Sequence, residues 1–326
     1  MRAIVVTRPG GPEVLEVVER PLPQPGKGEV RVRVGASGLN RADLLQREGK
    51  YPAPPGWPAD IPGLEFAGVI EALGEEAEAK VGDRVMGIVG GGGYAEAVVL
   101  PARQTVPIPA ALDVGEAGAV AEVFMTAYDA LFRQMRLALG ESVLLHSVGS
   151  GVGTAAVQLA HAAGARVIGT SRTEDKIRRA AELGLHYGVV VRDGGWADAV
   201  LEITGGRGVD VLMDLVGAPY LEGNQRVLAT GGRMIVVGTT AGPKGEIDLR
   251  ALMGRRATLV GTVMRARSPE EKVALARDFA AYVVPLFENA TLRPVVDRYI
   301  RPEQIGEAHR SLTSNDTFGK IVILWE

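Results

Sequence analysis

The stretch from Ser142 to Gly169 reads SVLLHSVGSGVGTAAVQLAHAAGARVIG and decides the fold. It opens with an apolar run short enough for a buried parallel strand, then continues into a glycine-rich turn at 149–153 and an alanine-rich helical segment. A second apolar run follows at 165–168. Strand, turn, helix and second strand together predict a βαβ unit with a phosphate-binding loop at its first turn.

The glycine-rich turn has the composition that a dinucleotide requires. Glycines let the backbone approach a pyrophosphate, and the following helix offers free N–H groups at its N-terminus. The residues expected to hold the phosphates are Ser150, Gly151, Val152 and Gly153. The spacing departs from GxGxxG, which would place glycine at Val148 and Ser150. A tight turn without a ligand is the alternative.

Composition excludes several classes of function. The 326 residues suffice for two domains, and the 36 basic and 39 acidic side chains give a net charge of −3. This balance provides no electrostatic footprint for nucleic acid or an anionic membrane. The chain has no cysteine and only four histidines, which argues against disulfides, thiolate-bound zinc and a histidine metal cluster. Because neither a signal-peptide pattern nor an apolar run of transmembrane length is present, we expect a soluble, cytoplasmic protein.

The chain changes character near residue 120. Residues 1–120 contain strand-like runs separated by glycine and proline. From 121 to 265, six apolar runs alternate with helical segments, which predicts a doubly wound parallel sheet. The six strand candidates are 143–148, 165–171, 187–192, 209–216, 232–240 and 257–264. The last part, 266–326, contains an amphipathic helix at 269–287 and a strand at 319–324 that is expected to return to the first domain.

The end of the second Rossmann strand predicts that the cofactor is NADPH. An acid at this position binds the ribose 2′-hydroxyl of NADH, whereas basic residues accept the 2′-phosphate of NADPH. This chain places Ser171 and Arg172 there, with Lys176 one turn into the next helix. Glu174 and Asp175 come later, where they suit a helix N-terminus. The alternative is that the two basic residues are ordinary solvated charges.

Several motifs, in the same order along the chain, resemble the zinc-free quinone oxidoreductases, which are medium-chain dehydrogenase/reductases that include zeta-crystallin. The motifs are ASGLNRADLLQREGKYP at 36–52, GLEFAG at 63–68, GDRV at 82–85, TAY at 126–128, the phosphate loop and GKIV at 319–322. The NRADLLQR run followed by GKYP is most similar to the p53-inducible branch. The resemblance covers essentially the whole chain. It implies an α/β protein in which a Rossmann domain (121–265) is inserted into a β-rich, GroES-like, partly barrel-shaped catalytic domain (1–120 and 266–326).

The same resemblance predicts that no zinc is bound. Zinc-dependent members of the superfamily carry cysteine where Asn40 stands and histidine where Leu64 stands, and the cysteine-rich structural zinc lobe is absent here. Without a Lewis acid, an alkoxide is poorly stabilised. A quinone or an activated enone is then the better hydride acceptor, because conjugation spreads the developing negative charge.

The resemblance implies three catalytic candidates. Asn40 and Asp43 would lie near the nicotinamide, and Asn40 would also contact the cofactor. Tyr51 would line the quinone pocket, where its hydroxyl could donate to a carbonyl oxygen that gains charge. The alternatives are structural: Asn40 and Asp43 have the spacing of a helix capping pair, and Tyr51 could anchor the proline-rich loop that follows it.

Further cofactor contacts are expected along the Rossmann domain and at the C-terminal return. The family packs the segment with Thr126 and Tyr128 against the nicotinamide ribose, although both residues would also suit a helix core. Ligands of open α/β sheets bind at the carboxyl ends of strands. The candidates at such ends, where turn formers are also common, are Gly217, Gly238, Thr239, Thr240, Val263, Met264 and Arg265. Lys320 is expected to reach the cofactor or a neighbouring carboxylate.

The sequence thus predicts an NADPH-dependent quinone oxidoreductase that transfers hydride in the cleft between its domains. One alternative is an enoyl-thioester or alkenal double-bond reductase on the same scaffold. The other is an NADPH-binding protein with a structural or RNA-binding role, although the net charge and the low aromatic content argue against an RNA-stacking platform. Family resemblance also implies a homodimer through the apolar strand near 257–264, whose edge would otherwise promote aggregation.

Overall fold

The computed structural model describes residues 1–192 and 194–325. Its strands, in chain order, are β1 (Arg2–Val6), β2 (Leu15–Glu19), β3 (Glu29–Gly38), β4 (Glu65–Leu73), β5 (Arg84–Ile88), β6 (Ala97–Pro101), β7 (Val106–Pro107), β8 (Ser142–Leu145), β9 (Arg166–Ser171), β10 (Tyr187–Val190), β11 (Val209–Asp214), β12 (Leu228–Val236), β13 (Thr258–Gly261), β14 (Val296–Ile300) and β15 (Lys320–Leu324). Its α-helices are α1 (Arg41–Arg47), α2 (Val114–Ala117), α3 (Ala121–Tyr128), α4 (Gly151–Ala162), α5 (Glu174–Ala181), α6 (Trp196–Ile203), α7 (Leu221–Val227), α8 (Leu249–Arg255), α9 (Pro269–Tyr282), α10 (Val284–Glu288) and α11 (Ile305–Ser314). None of the helices in these residues has both the length and the apolar character that crossing a membrane requires.

One of two units comprises Thr126–Val263 and contains a six-stranded sheet. Every strand pair in it is parallel, in the order β10-β9-β8-β11-β12-β13. The chain direction along the sheet reverses between β8 and β11, which is the switch point where doubly wound sheets bind ligands. All four residues of β8 are buried, as a strand covered on both faces requires. The doubly wound parallel sheet predicted from the sequence is confirmed.

The other unit comprises Met1–Met125 and Met264–Glu326. Its main sheet has the order β14-β15-β3-β4-β5-β7, with β6 also pairing to β3. β15 runs antiparallel to β3, with Val322 opposite Gly38. The apolar side chains of this unit form a core that includes Ile4, Phe66 and Ile323. Two segments far apart in the sequence therefore build one β-rich unit.

The prediction of a single amphipathic helix at 269–287 is wrong, because the structure has two helices there. α9 ends at Tyr282 and α10 begins at Val284, with Pro285 in its first turn. Proline has no N–H to donate to the preceding turn, and its ring clashes with the carbonyl four residues earlier. Proline is tolerated at the start of a helix, so the chain stops α9 and begins α10.

Candidate functional site

The predicted phosphate loop joins β8 to α4. Ser150 is the N-cap of α4: its Oγ accepts a hydrogen bond from the N–H of Gly153 at 3.0 Å and donates to the carbonyl oxygen of Ser147 at 2.8 Å. The hydroxyl predicted to meet the phosphates therefore fixes the loop. The N–H groups of Gly151 and Val152 lie in the first turn, where a helix has no acceptors of its own, so they are the donors that an anion would meet.

Gly153 shows that the loop is built for a close backbone approach. A Cβ atom at this position would lie 2.2 Å from the carbonyl oxygen of Ser147 and 2.8 Å from the Cα of Val148. Both are backbone atoms that cannot move aside. Tight packing of the helix start against the strand end is the role of the third glycine in a dinucleotide loop. The loop thus fits a nucleotide pyrophosphate despite its unusual spacing.

The residues predicted to determine the preference for NADPH over NADH lie beside this loop. β9 ends at Ser171, Arg172 follows it on the surface, and Lys176 is in the first turn of α5. The N–H of Val148 donates to the carbonyl of Thr170 at 3.1 Å. A Cβ atom at Gly149 would lie 2.6 Å from Cδ of Lys176, so the stem of this lysine packs on the loop.

The loops after β11 and β12 bring together another predicted group. Gly217 has a φ of +92° and pairs with Gly242 in an isolated bridge. A Cβ atom at Gly217 would lie 2.5 Å from the carbonyl of Gly242 and 2.9 Å from the Cα of Thr239. Thr240 donates from Oγ1 to the carbonyl of Leu215 at 3.0 Å. The predicted residues 217 and 238–240 therefore form one surface at the carboxyl ends of adjacent strands.

A buried histidine network behind these strand ends was not predicted as part of the site. His146 follows β8, and its Nδ1 lies 2.8 Å from Thr170 Oγ1 while its Nε2 lies 2.7 Å from Asn224 Oδ1. Asn224 donates to Asp214, whose other oxygen accepts the N–H groups of Val216 and Gly217. Burial lowers the pKa of His146, so the ring stays neutral and links the ends of three strands.

Three further residues predicted to contact the cofactor, Thr126, Tyr128 and Val263, lie in or after α3 and β13. Thr126 is buried in α3, and its Oγ1 has no hydrogen-bond partner among the described residues. Tyr128 stacks on Phe132 with 5.8 Å between ring centroids. Val263 follows β13 and is 48% exposed. Their contacts with a cofactor remain predictions.

In the other unit, a charged cluster surrounds Asn40 at the N-terminus of α1. The Lys320 ammonium lies 2.6 Å from Glu65 Oε1 and donates to Asn40 Oδ1 at 2.7 Å and to the carbonyl of Leu39 at 2.5 Å. Asn40 Nδ2 donates to the same Glu65 oxygen at 2.9 Å. The ammonium has three donors and all are used here. The neighbouring carboxylate expected for Lys320 is thus Glu65, and a contact of Lys320 with the cofactor stays a prediction.

Asp43 takes the capping position that was the alternative to a catalytic role. Its Oδ2 accepts the N–H of Asn40 at 2.7 Å and the hydroxyl of Tyr94 at 2.7 Å. The side chain is fully buried, and its Oδ1 has no partner among the described residues. Burial raises the pKa of Asp43 to about 6, even though the bonds from Tyr94 and Asn40 favour the ionised form. The contacts make Asp43 a residue that orients the start of α1.

Tyr51 is half-buried and is held in place by Arg265. The guanidinium of Arg265 lies over the Tyr51 ring, and it donates to the carbonyl oxygens of Tyr51 at 2.9 Å and Gly90 at 2.7 Å and to Gln46 Oε1 at 2.6 Å. The Tyr51 hydroxyl makes no hydrogen bond to the residues that the structure describes. Burial raises the pKa of Tyr51, which keeps the phenol protonated. The observed contacts of Arg265 support the Tyr51 loop, and neighbouring Met264 is buried beside Met125 and Leu275.

Sequence reasoning missed Glu65 and Glu122, which belong to the same cluster. The N–H of Glu122 donates to Glu65 Oε2 at 2.9 Å. Each is a carboxylate inside an apolar run, GLEFAG and AVAEVFM, and that interruption was the available signal. Within residues 1–192 and 194–325, no group of histidine, aspartate and glutamate side chains has the arrangement of a metal site.

Known proteins resemble the chain over its whole length. The family model described as zinc-binding dehydrogenase matches residues 151–281, and that of the alcohol dehydrogenase GroES-like domain matches residues 26–110. The chain is 36% identical to the quinone oxidoreductase of Lama guanicoe, with 99% of this chain and 97% of the relative covered. It is 34% identical to the quinone oxidoreductase of Pseudomonas aeruginosa, with 97% of each covered.

Solved structures agree with this likeness. A structure described as an NAD-dependent alcohol dehydrogenase superposes with a TM-score of 0.90 at 35% identity, with all of both chains covered. The mycobacterial protein Rv1454c, solved in complex with NADPH, superposes with a TM-score of 0.89 at 30% identity, again over all of both chains. The JamJ enoyl reductase superposes with a TM-score of 0.89 at 27% identity, over 99% of this chain and 98% of the other.

Proposed function

This chain belongs to the quinone oxidoreductase family of the medium-chain dehydrogenase/reductases. It is therefore an oxidoreductase with a nicotinamide cofactor and a small-molecule substrate. On this basis we propose that it uses NADPH to reduce quinones or similar conjugated carbonyl compounds. The motif at 40–52 supports a place in the p53-inducible branch. The observation that carries the acceptor proposal is the Tyr51 hydroxyl, which is unengaged while its ring is fixed by Arg265.

The phosphate loop supports the nucleotide half of the proposal. Bound NADPH would supply the hydride for the reaction. The N–H groups of Gly151 and Val152 would hold its pyrophosphate, and the absence of a Cβ atom at Gly153 leaves the loop in the required shape. The surface of 217 and 238–240 would hold the rest of the dinucleotide.

Preference for NADPH over NADH rests on the end of β9. A 2′-phosphate would meet the Ser171 hydroxyl, the Arg172 guanidinium and the Lys176 ammonium, and no acid stands at the strand end to bind a bare ribose. Replacing Arg172 with alanine should weaken NADPH binding roughly 10- to 100-fold, the value of one charge-assisted hydrogen bond, and leave NADH binding nearly unchanged.

Fluorescence titration of both nucleotides measures this preference. Arg178→Ala is the control, because Arg178 is exposed on α5, the helix that follows Arg172, and pairs with Asp175 and Glu182. Equal losses of NADPH and NADH affinity in Arg172→Ala would count against a 2′-phosphate contact. Tighter binding of NADH by the parent protein would overturn the proposed cofactor.

On the acceptor side, we assign Tyr51 to contact the substrate. Its hydroxyl would donate a hydrogen bond to the acceptor oxygen as negative charge develops there, which favours the transition state. Asn40 and Asp43 act as positioning residues, because their polar atoms are engaged with Lys320, Glu65 and Tyr94. In this proposal, the Tyr51 hydroxyl is the hydrogen-bond donor to the substrate, and the buried cluster around Asn40 holds the neighbouring backbone in place.

Steady-state assays of NADPH oxidation test the acceptor class. An ortho-quinone, a para-quinone, an alkenal and an enoyl thioester make a sufficient panel. Tyr51→Phe should lower kcat with the ortho-quinone roughly 10- to 100-fold and leave NADPH affinity unchanged. Tyr282→Phe, on an exposed tyrosine of the same unit, is the control. A Tyr51→Phe enzyme with full activity would contradict the assignment.

Reduction of an enoyl thioester or alkenal double bond is the second candidate. The superposition with the JamJ enoyl reductase favours it, since the scaffold is shared over nearly the whole chain. Turnover of the alkenal or thioester alone would move the proposal to this reaction. NADPH binding without turnover of any acceptor, together with RNA retained by the purified protein, would favour the third possibility, an NADPH-binding protein with a structural or RNA-binding role. Failure to bind either nicotinamide nucleotide would contradict the proposed enzyme.

We also propose a homodimer formed through β13. This strand ends the six-stranded sheet, and in the preceding helix α8 Leu249 and Met253 are 70% and 76% exposed. An unpaired strand edge beside exposed apolar side chains is the kind of surface that a second copy covers. Sedimentation analysis should show a dimer that Leu249→Lys with Met253→Lys converts to a monomer. A parent protein that is already monomeric would contradict the proposal.

A further inference from the structure

Glu122 presents an unpaired carboxyl oxygen inside the cluster that supports the proposed acceptor site. It lies near the start of α3, in the otherwise apolar sequence AVAEVFM. Its Oε2 is buried and has no hydrogen-bond partner among the described residues. A buried carboxyl group without a partner is costly to keep ionised, so such groups either take up a proton or serve a function.

Charged groups from every neighbouring element act on this carboxyl. Glu65 of β4 and Asp43 of α1 are like charges, whereas Lys320 of β15 and Arg265 are opposite charges. Lys272 of α9 and Tyr51 also interact electrostatically with Glu122. The two lysines are committed elsewhere: Lys320 to Glu65 and Asn40, and Lys272 to the carbonyl oxygen of Arg265 at 2.9 Å.

The balance of these groups favours the protonated acid. Burial and the charge of Glu65 raise the pKa of Glu122 to about 8, and the cations only partly oppose this. Asp43 also has an unpaired buried oxygen, Oδ1, but it is the weaker candidate for a proton donor. Its Oδ2 is bonded to Tyr94 and to the N–H of Asn40, and its pKa of about 6 leaves the carboxyl mostly ionised at neutral pH. At neutral pH, Glu122 is therefore an acid that still holds a transferable proton.

We propose that Glu122 is a catalytic residue that gives a proton to the acceptor oxygen, an inference that rests on the proposed reduction of a conjugated carbonyl compound. The reduction adds a hydride and a proton to the acceptor. The hydride and its electron pair come from the nicotinamide, so the acceptor is reduced and the nicotinamide is oxidised. The O–H bond of Glu122 breaks, a new O–H bond forms on the acceptor, and water reprotonates the carboxylate.

This assignment separates two tasks that a single tyrosine would otherwise combine. Tyr51 provides a hydrogen bond, but its pKa is raised by burial and by the charge of Glu122, so it is a poor source of a proton. Glu122 has a pKa close to neutral pH, where a general acid works best. The two groups are electrostatically coupled and belong to the same unit.

Infrared spectroscopy of the protein without nucleotide tests the protonation state directly. The parent protein at pH 7 should show the carbonyl band of a buried protonated carboxylic acid, which disappears on titration through about pH 8. Glu122→Gln should lack this band. Glu78→Gln, the same change at an exposed glutamate, should keep it. If the parent lacks this band, or if Glu122→Gln retains it, the proposal is overturned.

Kinetics test the proton transfer. With the best acceptor of the panel, kcat of the parent should fall above about pH 8 as the acid ionises. Glu122→Gln should lose that limb and, at pH 7, run on the order of 10²-fold slower with unchanged NADPH affinity. Retention of the limb, or of full rate, overturns the role of Glu122. Failure of the parent on every acceptor instead overturns the proposed function, and the infrared result then decides whether Glu122 holds the proton.

Discussion

The guanidinium of Arg265 lies over the ring of Tyr51, with 4.8 Å from its Cζ to the ring centroid. Arg265 also donates hydrogen bonds to the backbone carbonyl oxygens of Tyr51 and Gly90. A guanidinium is planar, so it can stack on a ring while its N–H groups bond acceptors around its edge; an ammonium has no plane with which to stack. The position of Tyr51, the proposed hydrogen-bond donor to the substrate, therefore depends on an arginine that lies 214 positions further along the chain.

Replacing Arg265 with lysine should loosen the Tyr51 loop. We expect a loss of about 1–3 kcal/mol in the free energy of unfolding, because one ammonium lacks the planar set of N–H groups that bonds the carbonyl oxygens of Tyr51 and Gly90 from separate nitrogens. The KM for the quinone should rise while NADPH affinity stays within a factor of about two, measured by denaturation, kinetics and titration. Arg277→Lys, on an exposed arginine of α9, is the control. A selective loss of NADPH affinity would instead support the predicted cofactor contact of Arg265.

Gly153→Ala should damage the phosphate loop. The new methyl group would lie 2.2 Å from the Ser147 carbonyl oxygen, so the loop or helix must shift. We expect NADPH affinity to fall at least 10-fold, with a loss of roughly 1–3 kcal/mol in stability. Gly254→Ala is the matched control: Gly254 lies in α8 with open space around its Cα, and alanine there should stabilise by about 0.5–1 kcal/mol. Nucleotide titration and thermal unfolding measure both, and wild-type NADPH affinity in Gly153→Ala would refute the loop assignment.

Lys320→Met should be strongly destabilising because it leaves Glu65 charged and buried. Removing one partner of a buried ion pair costs about 3–5 kcal/mol. Adding Glu65→Gln should recover part of this loss, since the orphaned charge is then gone. A double-mutant cycle by urea denaturation gives the coupling between the two residues. Additive effects of the two substitutions would show that the 2.6 Å contact contributes no coupling.

His309 makes the protein sensitive to acid. Burial and the neighbouring charge of Arg47 lower the pKa of His309 to about 3 from its usual 6.5, so the folded ring stays neutral. Between these values the unfolded chain binds a proton that the folded chain does not, and stability is lost as pH falls from 6.5 towards 3. The slope from this one group approaches about 1.4 kcal/mol per pH unit.

His309→Asn should reduce that slope. Asparagine keeps an acceptor near the position of Nδ1, which lies 3.2 Å from the Arg47 guanidinium, and it does not titrate. The free energy of unfolding, measured by denaturation at several pH values between 4 and 7, provides the comparison with the parent. His161→Asn, on a more exposed histidine, is the control. An unchanged slope in His309→Asn would assign the acid sensitivity to other groups.

The local sequence pattern was sufficient to predict the Rossmann sheet. β8, the glycine loop and α4 are adjacent in sequence, and each carries its own signal: an apolar run, glycines, and an alanine-rich helix. The same holds for the capping of α1, where Asn40 and Asp43 are three residues apart. Such features involve neighbours in the chain, so periodicity and spacing predict them.

The charged cluster could not be predicted in the same way. Glu65, Lys320 and Glu122 come from three separate elements that only the folded sheet brings together. The sequence makes Lys320 a candidate for contact with a cofactor or a carboxylate, and only the folded structure identifies the carboxylate as that of Glu65. The break at Pro285 was readable from the sequence, but the apolar periodicity on both sides of it favoured one continuous helix.

The distance in sequence between Asn40 and Lys320 has a consequence for synthesis of the protein. These residues are 280 positions apart, and the whole unit at 126–263 is made between them. During translation, Glu65 leaves the ribosome before Lys320, the cation that pairs with its carboxylate, has been made. The first β-rich segment must therefore wait, incompletely folded, until β15 arrives and pairs with β3. A chain released by ribosome stalling between residue 263 and β15 would then have a complete Rossmann unit and a β-rich unit without β15, and would be a substrate for chaperones.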